Sequence, residues 1–312
     1  MKSKSSLTTI LLGCLFALVM SNVVSRADDK YTPFNAWEKG DYTLRQDCFA
    51  SVVKSVDKKV FSREQSRIMF TWKITAADVQ ADASQTLTMK ISNVMTRYES
   101  NGNELDYFDS ANALNKPFMR DVFKAIMQVE LTVLLKEGEV AKVDGCDNLW
   151  KDVPQPSAQD EELFLTRLQS YITADMFKQL FETLSCLDTV DEVAVGDTWK
   201  NETLISFPVV GDKTLQWNCK FDSLAKSGKT PLACVSGSSA LAFDLTDTSH
   251  AELKTEQTAK YNVKSYFPVE VISRATVAIE SKTERKGADG ETIVVVEKIA
   301  GMNKSNLTVV RR

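Results

Sequence analysis

The chain has 312 residues and a formal net charge of −4, from 42 acidic and 38 basic residues. An acidic chain without a block of basic residues is a poor nucleic-acid binder, because neutralisation of phosphates supplies most non-specific affinity. The length allows one large domain or two of ordinary size, with enough apolar residues for a core. We therefore expect a folded protein with no nucleic-acid partner.

The N-terminus has the organisation of a secretory signal peptide. Two lysines precede a mostly apolar run over 7–24, and Ser25-Arg26-Ala27 supplies a small-x-small cleavage site. Two alternatives stay open. The run approaches the ~17–20 residues of a transmembrane anchor, and Cys14 follows a Leu-Leu-Gly that is similar to a bacterial lipobox. We predict a signal peptide over 1–27 and export to the periplasm or the extracellular space.

Alternating apolar residues predict a series of strands after the signal peptide. The segments 42–53, 58–74 and 86–98 place apolar side chains on one face and polar ones on the other, as in half-buried strands. Ser100-Asn101-Gly102-Asn103 is a typical hairpin turn, and 104–109 is its expected return strand. The pattern indicates antiparallel pairing.

A short helix interrupts these strands. Pro117 opens a segment whose apolar residues recur at helical spacing through residue 127. Two apolar-rich strands, 129–135 and 139–143, follow it and are joined by a short turn. The helix and the hairpin complete an N-terminal β-rich half over 28–152.

Residues 153–188 form a central helical segment. Apolar residues recur at helical spacing from 163 to 172 and again from 177 to 184. Ser157 and Thr173 are suitable N-caps, so we predict two short helices rather than one long helix. Their wide apolar faces need a cover, and the flanking strands are long enough to provide one.

Residues 189–312 are almost entirely strand-like. The segments 253–264, 269–279, 292–299 and 306–310 are apolar on one face, and strands of this length predict a large antiparallel sheet. A Gly-Asp pair opens a strand in each half of the chain, which leaves open whether the two β-rich halves are related. We predict an α+β fold: a large curved antiparallel β-sheet, shaped like half a barrel, packed on the central helices.

Five cysteines lie outside the signal peptide, and an exported protein would meet oxidising conditions. Cys219 and Cys234 flank a polar turn, and a bridge between them would contribute about 3 kcal/mol. Cys146 and Cys186 both adjoin the central helices and are the second candidate pair. Cys48 then has no predicted disulfide partner. A metal site has little support, because the chain has a single histidine and no Cys-x-x-Cys motif.

Four short motifs occur in order along the chain: Gly40-Asp41-Tyr42, Phe108-Asp109-Ser110, the hairpin Gly-Glu-Val-Ala-Lys-Val-Asp-Gly over 138–145, and Val195-Gly196-Asp197-Thr198-Trp199. In this order they resemble an uncharacterised family of exported bacterial proteins, known as a domain of unknown function. The resemblance implies a cell-envelope location and a mixed fold. It implies no activity, cofactor or catalytic residue.

No catalytic motif can be assembled from the sequence. A Ser-His-Asp or Cys-His site would have to use His250, and no Gly-x-Ser-x-Gly elbow precedes it. The phosphate-binding motifs Gly-x-x-x-x-Gly-Lys-Ser/Thr and Gly-x-Gly-x-x-Gly are absent from the sequence. Paired carboxylates for glycoside hydrolysis stay open, because a sequence gives no distances between acids. We expect a protein that is not an enzyme and uses no cofactor.

Two functions from different classes remain. The first is a binding or carrier module for a hydrophobic or lipid-like ligand, by analogy with the half-barrels of periplasmic lipoprotein and lipid carriers. The second is a structural or protein-interaction component of the cell envelope with no small ligand. Aromatic residues on the strands and helices could line a ligand cavity, but at regular spacing they more often form an ordinary hydrophobic core. Both functions therefore stay open. The candidate lining residues are Phe70, Trp72, Phe123, Phe164 and Phe177.

Overall fold

The computed structural model describes most of the chain after the predicted signal peptide. The described residues are 22–23, 37–112, 116–136, 139–185, 193–207, 211–227, 230–263, 267–286 and 291–311. The predicted signal peptide, apart from Asn22-Val23, lies outside these residues, as do Cys14 and Cys186. No helix within the described residues is long and apolar enough to cross a membrane.

Thirteen strands form one antiparallel sheet in the described part of the chain. Strand β1 (Asn22–Val23) lies in the predicted signal peptide, and the N-terminal half supplies β2 (Gly40–Val56), β3 (Lys59–Ala76), β4 (Ser84–Ser100), β5 (Asn103–Asp109), β6 (Glu130–Lys136) and β7 (Glu139–Asp144). The C-terminal half supplies β8 (Thr198–Phe207), β9 (Gly211–Ser227), β10 (Thr230–Thr246), β11 (Ser249–Asn262), β12 (Pro268–Lys286) and β13 (Thr292–Arg311). The helices are α1 (Pro117–Ile126), α2 (Gln159–Tyr171), α3 (Ala174–Ser185) and a short 3-10 helix (Cys146–Trp150).

The sheet is open, with the order β1-β8-β9-β10-β11-β12-β13-β2-β3-β4-β6-β7 and with β5 beside β4. The two halves of the chain meet where β13 pairs with β2, from Glu297 opposite Val56 to Arg311 opposite Tyr42. The predicted antiparallel sheet is therefore confirmed, and the described part of the chain is mostly β. One boundary was wrong, because the predicted strands 292–299 and 306–310 are a single strand, β13. The domain boundaries at 152 and 188 stay predictions.

Alternation explains which face of the sheet is buried. Along β11 the odd-numbered residues from Ala251 to Tyr261 are buried, and the even-numbered residues between them are exposed. Successive side chains of a strand point to opposite faces, so one face of the sheet is buried and the other is exposed to solvent. We call the buried face the inner face.

The break between the two central helices lies where the sequence predicted it. The backbone N–H of Met176 donates a hydrogen bond to Thr173 Oγ1 over 3.1 Å, so Thr173 is the N-cap of α3. At the start of α2, Ser157 bonds the Glu161 carboxylate through both its N–H and its hydroxyl, over 2.7 and 2.9 Å. Helix α2 itself begins at Gln159 with Ala158 in the capping position, so Ser157 is not the N-cap that the sequence predicted.

Candidate functional site

Two adjacent rows of small and polar residues cross the inner face of seven neighbouring strands, from β10 to β4. Cross-strand register places Gly237, Gln257, Ser273, Ser305, Cys48, Ile68 and Thr96 in the first row, and Ser239, Thr255, Ala275, Asn303, Ala50, Ser66 and Tyr98 in the second. We call these fourteen residues the polar belt, because most of them carry a hydroxyl, amide or thiol. All of them except Tyr98 are buried.

Thr96 Oγ1, at the β4 end of the polar belt, has no hydrogen-bond partner within the described residues. Three more hydroxyls without a partner lie together at the β10–β12 end. They are Ser239 Oγ, Thr255 Oγ1 and Ser273 Oγ. Ser239 lies directly opposite Thr255, and Ser273 is the diagonal neighbour of Thr255 across the β11–β12 pair. Facing and diagonal neighbours in a sheet are roughly 5 and 7–8 Å apart, so the three side chains share one small region. We call them the hydroxyl cluster.

Apolar rows lie on both sides of the polar belt. On the side of the β10–β11 turn, the rows contain Leu241, Leu253, Val277, Gly301 and Val52, then Phe243, Ala251, Ile279 and Ile299. On the opposite side, the row from β10 to β13 contains Val235, Ala259, Val271 and Leu307. A molecule on this part of the inner face would therefore meet apolar, polar and again apolar surface.

Helix α3 contacts the same strand that carries the centre of the hydroxyl cluster. The Gln257 side-chain amide donates a 3.0 Å hydrogen bond to the carbonyl of Thr183, and the Tyr261 hydroxyl donates a 3.4 Å bond to the carbonyl of Leu184. The last carbonyls of a helix have no partner inside the helix. Side chains of β11 thus satisfy the C-terminal end of α3.

Helix α2 contacts the other end of the polar belt through a buried charge. The Arg167 guanidinium lies 4.3 Å from the centre of the Tyr98 ring and pairs with the carboxylate of Asp106 on β5. Burial lowers the pKa of Arg167 and raises the pKa of Tyr98 to about 12. A cavity of about 30 Å³ lies among these side chains and Tyr171, large enough for a water molecule. We call Tyr98, Asp106, Arg167 and Tyr171 the Arg167 cluster.

The five predicted lining residues are all buried and fall into two groups. Trp72 contacts Phe70 and Phe177, with ring centres 5.3 and 5.2 Å apart. Phe123 lies 5.9 Å from Phe164 and forms no ring contact with Trp72 among the described contacts. Both groups belong to the hydrophobic core. Their role in lining a ligand cavity stays a prediction.

The prediction of a Cys219–Cys234 disulfide was wrong, because both residues are free thiols. The register of β9 and β10 sets Cys219 opposite Gly237 and Cys234 opposite Ser223. The two cysteines are thus offset along the hairpin by three to four residues, or roughly 10 Å at ~3.3 Å per residue. A disulfide requires Cα atoms within about 7 Å of each other.

The remaining cysteines are also free thiols where they are described. Cys146 is unbridged and half-buried, and its predicted partner Cys186 lies outside the described residues, so that pair stays a prediction. Cys48 lies in the polar belt, with its thiol 3.7 Å from the hydroxyl of Ser305. Burial raises the pKa of the Cys48 thiol to about 12, which keeps it protonated and unreactive at neutral pH.

Alkylation followed by mass spectrometry should separate these thiols. In the native protein we expect Cys48 and Cys219 to resist iodoacetamide, because burial raises the pKa of each to about 12. Cys234 is half-buried and should react first, as an internal control. In denaturant without reductant all three should be modified. Protection of Cys219 and Cys234 together in denaturant would instead reveal a bridge.

The single histidine lies on the surface. His250 is exposed at the start of β11, and its Nδ1 is 2.8 Å from Asp244 Oδ1 on β10. No group of three or more His, Cys, Asp or Glu residues that could hold a metal ion occurs in the described part of the chain. The polar belt therefore remains the candidate site.

Comparison with models of protein families shows the family to which the chain belongs. The profile of the family of unknown function DUF6263 matches residues 82–265, more than half of the sequence. The chain belongs to this family. Three of the four sequence motifs lie inside the region matched to DUF6263, and Gly40-Asp41-Tyr42 lies before it. The resemblance to a family of unknown function is therefore confirmed.

Other comparisons with this DUF6263 chain give weaker likenesses. No curated protein matches it. Lipovitellin has a TM-score of 0.44 at 9% identity, over 88% of this chain and 26% of its own, so this chain spans about a quarter of the lipovitellin chain. An outer membrane channel from Pseudomonas putida F1 has a TM-score of 0.23 at 8% identity, over 91% of this chain and 100% of its own. No function follows from likenesses at these scores.

Proposed function

We propose that this DUF6263 chain is exported to the cell envelope, where it binds and carries a hydrophobic or lipid-like ligand on the inner face of its sheet without catalysing a reaction. The observation that supports the proposal is the hydroxyl cluster, three buried hydroxyls without protein partners within the described residues. Its position between apolar rows matches an amphiphile rather than a purely polar or purely apolar molecule.

The energetics of buried hydroxyls favour a bound partner at this position. Each unsatisfied buried hydroxyl costs about 1–3 kcal/mol, and three such groups lie side by side in the hydroxyl cluster. An ester, amide or hydroxyl group of a ligand would satisfy them, while its hydrocarbon would contact the flanking row of Leu241, Leu253 and Val277. Gly237 in the same belt lets a bound molecule approach the backbone closely.

The proposal includes a half-barrel arrangement in which the helices lie on the inner side of the curved sheet. Two contacts support it: Trp72 of β3 against Phe177 of α3, and Gln257 of β11 against the end of α3. In this arrangement the predicted lining aromatics close one end of the interior. The hydroxyl cluster lies on the β10–β12 side, away from the Arg167 cluster on β4, β5 and α2.

Thr255→Val and Ser273→Ala test the site directly, because each removes a hydroxyl of the cluster and keeps nearly the same volume. Native mass spectrometry after mild extraction should show an amphiphile bound to the unmodified protein, and the double variant should bind it with an affinity about tenfold lower, the equivalent of 1.4 kcal/mol. Without ligand, the double variant should melt at the same temperature as the unmodified protein or higher, because two unpartnered hydroxyls have been removed from the interior.

Thr258→Val is the matched control, since Thr258 lies on the same strand but faces solvent. It should bind ligand as the unmodified protein does. A ligand-free protein that takes up no detergent-solubilised lipid would contradict the carrier function. That result would favour the second candidate, a structural or protein-interaction role, which the close ring contacts of Trp72 with Phe70 and Phe177 also support.

A further inference from the structure

One hairpin extends beyond its neighbours at the end of the sheet. Residues 282–286 of β12 pair with 292–296 of β13. On one side β11 begins at Ser249, opposite Ser281, and on the other side β2 ends at Val56, opposite Glu297. These two short segments therefore form a two-stranded arm that has no strand on either side within the described residues.

The two strands of the arm differ in composition: the β12 segment, Lys282-Thr283-Glu284-Arg285-Lys286, is polar and basic, whereas the β13 segment is apolar on both faces. Ile293-Val294-Val295-Val296 is an unbroken apolar run, and successive residues of a strand point to opposite faces. Ile293 and Val294 are each 51% exposed. A strand at a water-exposed edge of a sheet normally has at least one polar face. The arm therefore exposes apolar surface that the rest of the sheet does not need for its own packing.

The turn between β2 and β3 lies against this arm. The Asp57 N–H donates to the Val296 carbonyl over 3.0 Å, and the Val296 N–H donates to the Asp57 carboxylate over 3.2 Å. Just beyond the turn, Phe61 is left unopposed at a β-bulge and is 79% exposed. Val60 beside it is also exposed. The β2–β3 hairpin thus adds exposed apolar side chains beside the arm.

Basic residues lie in and beside the turn next to this apolar surface. The ten residues 54–63 contain Lys54, Lys58, Lys59 and Arg63 against a single acid, Asp57, so they carry a formal charge of +3 in a chain of net −4. The Asp57 carboxylate is bonded to the arm. The exposed Lys58 and Lys59 form no ion pair with any described residue. This end of an acidic protein is therefore locally positive.

We propose that this end of the sheet docks on an anionic lipid bilayer. The docking surface, which we call the apolar tip, consists of Val60, Phe61, Ile293 and Val294 with the adjacent lysines. An apolar strand beside a basic strand and a basic turn fits the boundary between acyl chains and anionic headgroups, where both kinds of side chain are accommodated. Lysines beside inserted apolar residues place their charges among the anionic headgroups. This docking does not require a ligand in the interior.

Tryptophan placed at the apolar tip would report its immersion. The Phe61→Trp substitution adds tryptophan fluorescence to the full chain. Vesicles of phosphatidylcholine and phosphatidylglycerol with brominated acyl chains should quench this added fluorescence. Ile272→Trp is the control, because Ile272 is an exposed apolar residue on the solvent face of β12, ten residues before the arm begins at Lys282. Its added fluorescence should stay unquenched. The apolar run over 7–24 is the same in both variants, so it cannot produce the difference.

Vesicle co-sedimentation measures the contribution of each part of the apolar tip. Phe61→Ala should weaken binding by about tenfold, since burial of a Phe side chain supplies at least that factor. Lys58→Gln with Lys59→Gln should remove the preference for vesicles that contain phosphatidylglycerol. Equal quenching at positions 61 and 272, or quenching at neither, would overturn the proposal. So would binding that Phe61→Ala leaves unchanged, whatever the ligand occupancy of the interior.

Discussion

Replacing Trp72 with alanine is expected to lower the free energy of unfolding by about 3–5 kcal/mol, the range for removal of a fully buried large aromatic ring. Trp72 is 0% exposed at the centre of the inner face. Its ring contacts Phe70 and Phe177, and its indole N–H is 3.4 Å from the Gln46 side-chain oxygen. Alanine would leave a cavity and an unpaired buried amide oxygen. Denaturant unfolding followed by circular dichroism measures the loss.

A double-mutant cycle tests whether α3 packs on the sheet through this ring. Trp72→Ala and Phe177→Ala should be coupled by about 0.5–1.5 kcal/mol, the value typical of aromatic pairs in contact. Phe61→Ala is the matched control, because Phe61 is an aromatic residue of the same strand with a solvent-exposed side chain. It should change stability by no more than about 0.5 kcal/mol. Full additivity of the first two substitutions would contradict contact between α3 and β3.

The strands could be predicted from the sequence wherever the buried face is apolar. In β3 the buried residues Ile68, Phe70, Trp72 and Ile74 are those whose alternation predicts the strand. The prediction failed where the inner face turns polar. Gly301, Asn303 and Ser305 are buried in β13, yet they have the composition of a loop, so the strand was divided in two. The pattern identifies a strand by its apolar face, and the buried residues of 301–305 in β13 form none.

The candidate site itself could not be predicted, because it depends on strand order and register. Asn303 and Ala50 are far apart in the sequence and become neighbours only through the β13–β2 pairing. No local pattern specifies that pairing. Register also explains the disulfide error: Cys219 and Cys234 flank one turn, but the hairpin sets them opposite other residues. Thr255 and Gln257 do interrupt the apolar face of β11, and this was the available signal for the polar belt.

Replacing Arg167 with methionine is expected to cost about 3 kcal/mol of unfolding free energy, because it leaves the Asp106 carboxylate buried without its partner. The Asp106 side chain is 6% exposed and that of Arg167 is 24% exposed, so the loss lies at the lower end for a broken buried pair. Methionine keeps most of the apolar stem and loses only the charge and the contact with the Tyr98 ring. Chemical unfolding at neutral pH measures the change.

Two further variants separate the charge from the packing. Arg97→Met removes an arginine of β4 whose ion pair with Glu104 faces solvent, and it should cost no more than about 1 kcal/mol. Arg167→Met combined with Asp106→Leu should recover much of the loss, because an apolar pair needs no desolvation of charge. If Arg167→Met were no more destabilising than Arg97→Met, the Asp106 carboxylate would have to reach water. The Arg167 cluster would then not fix α2 to the sheet.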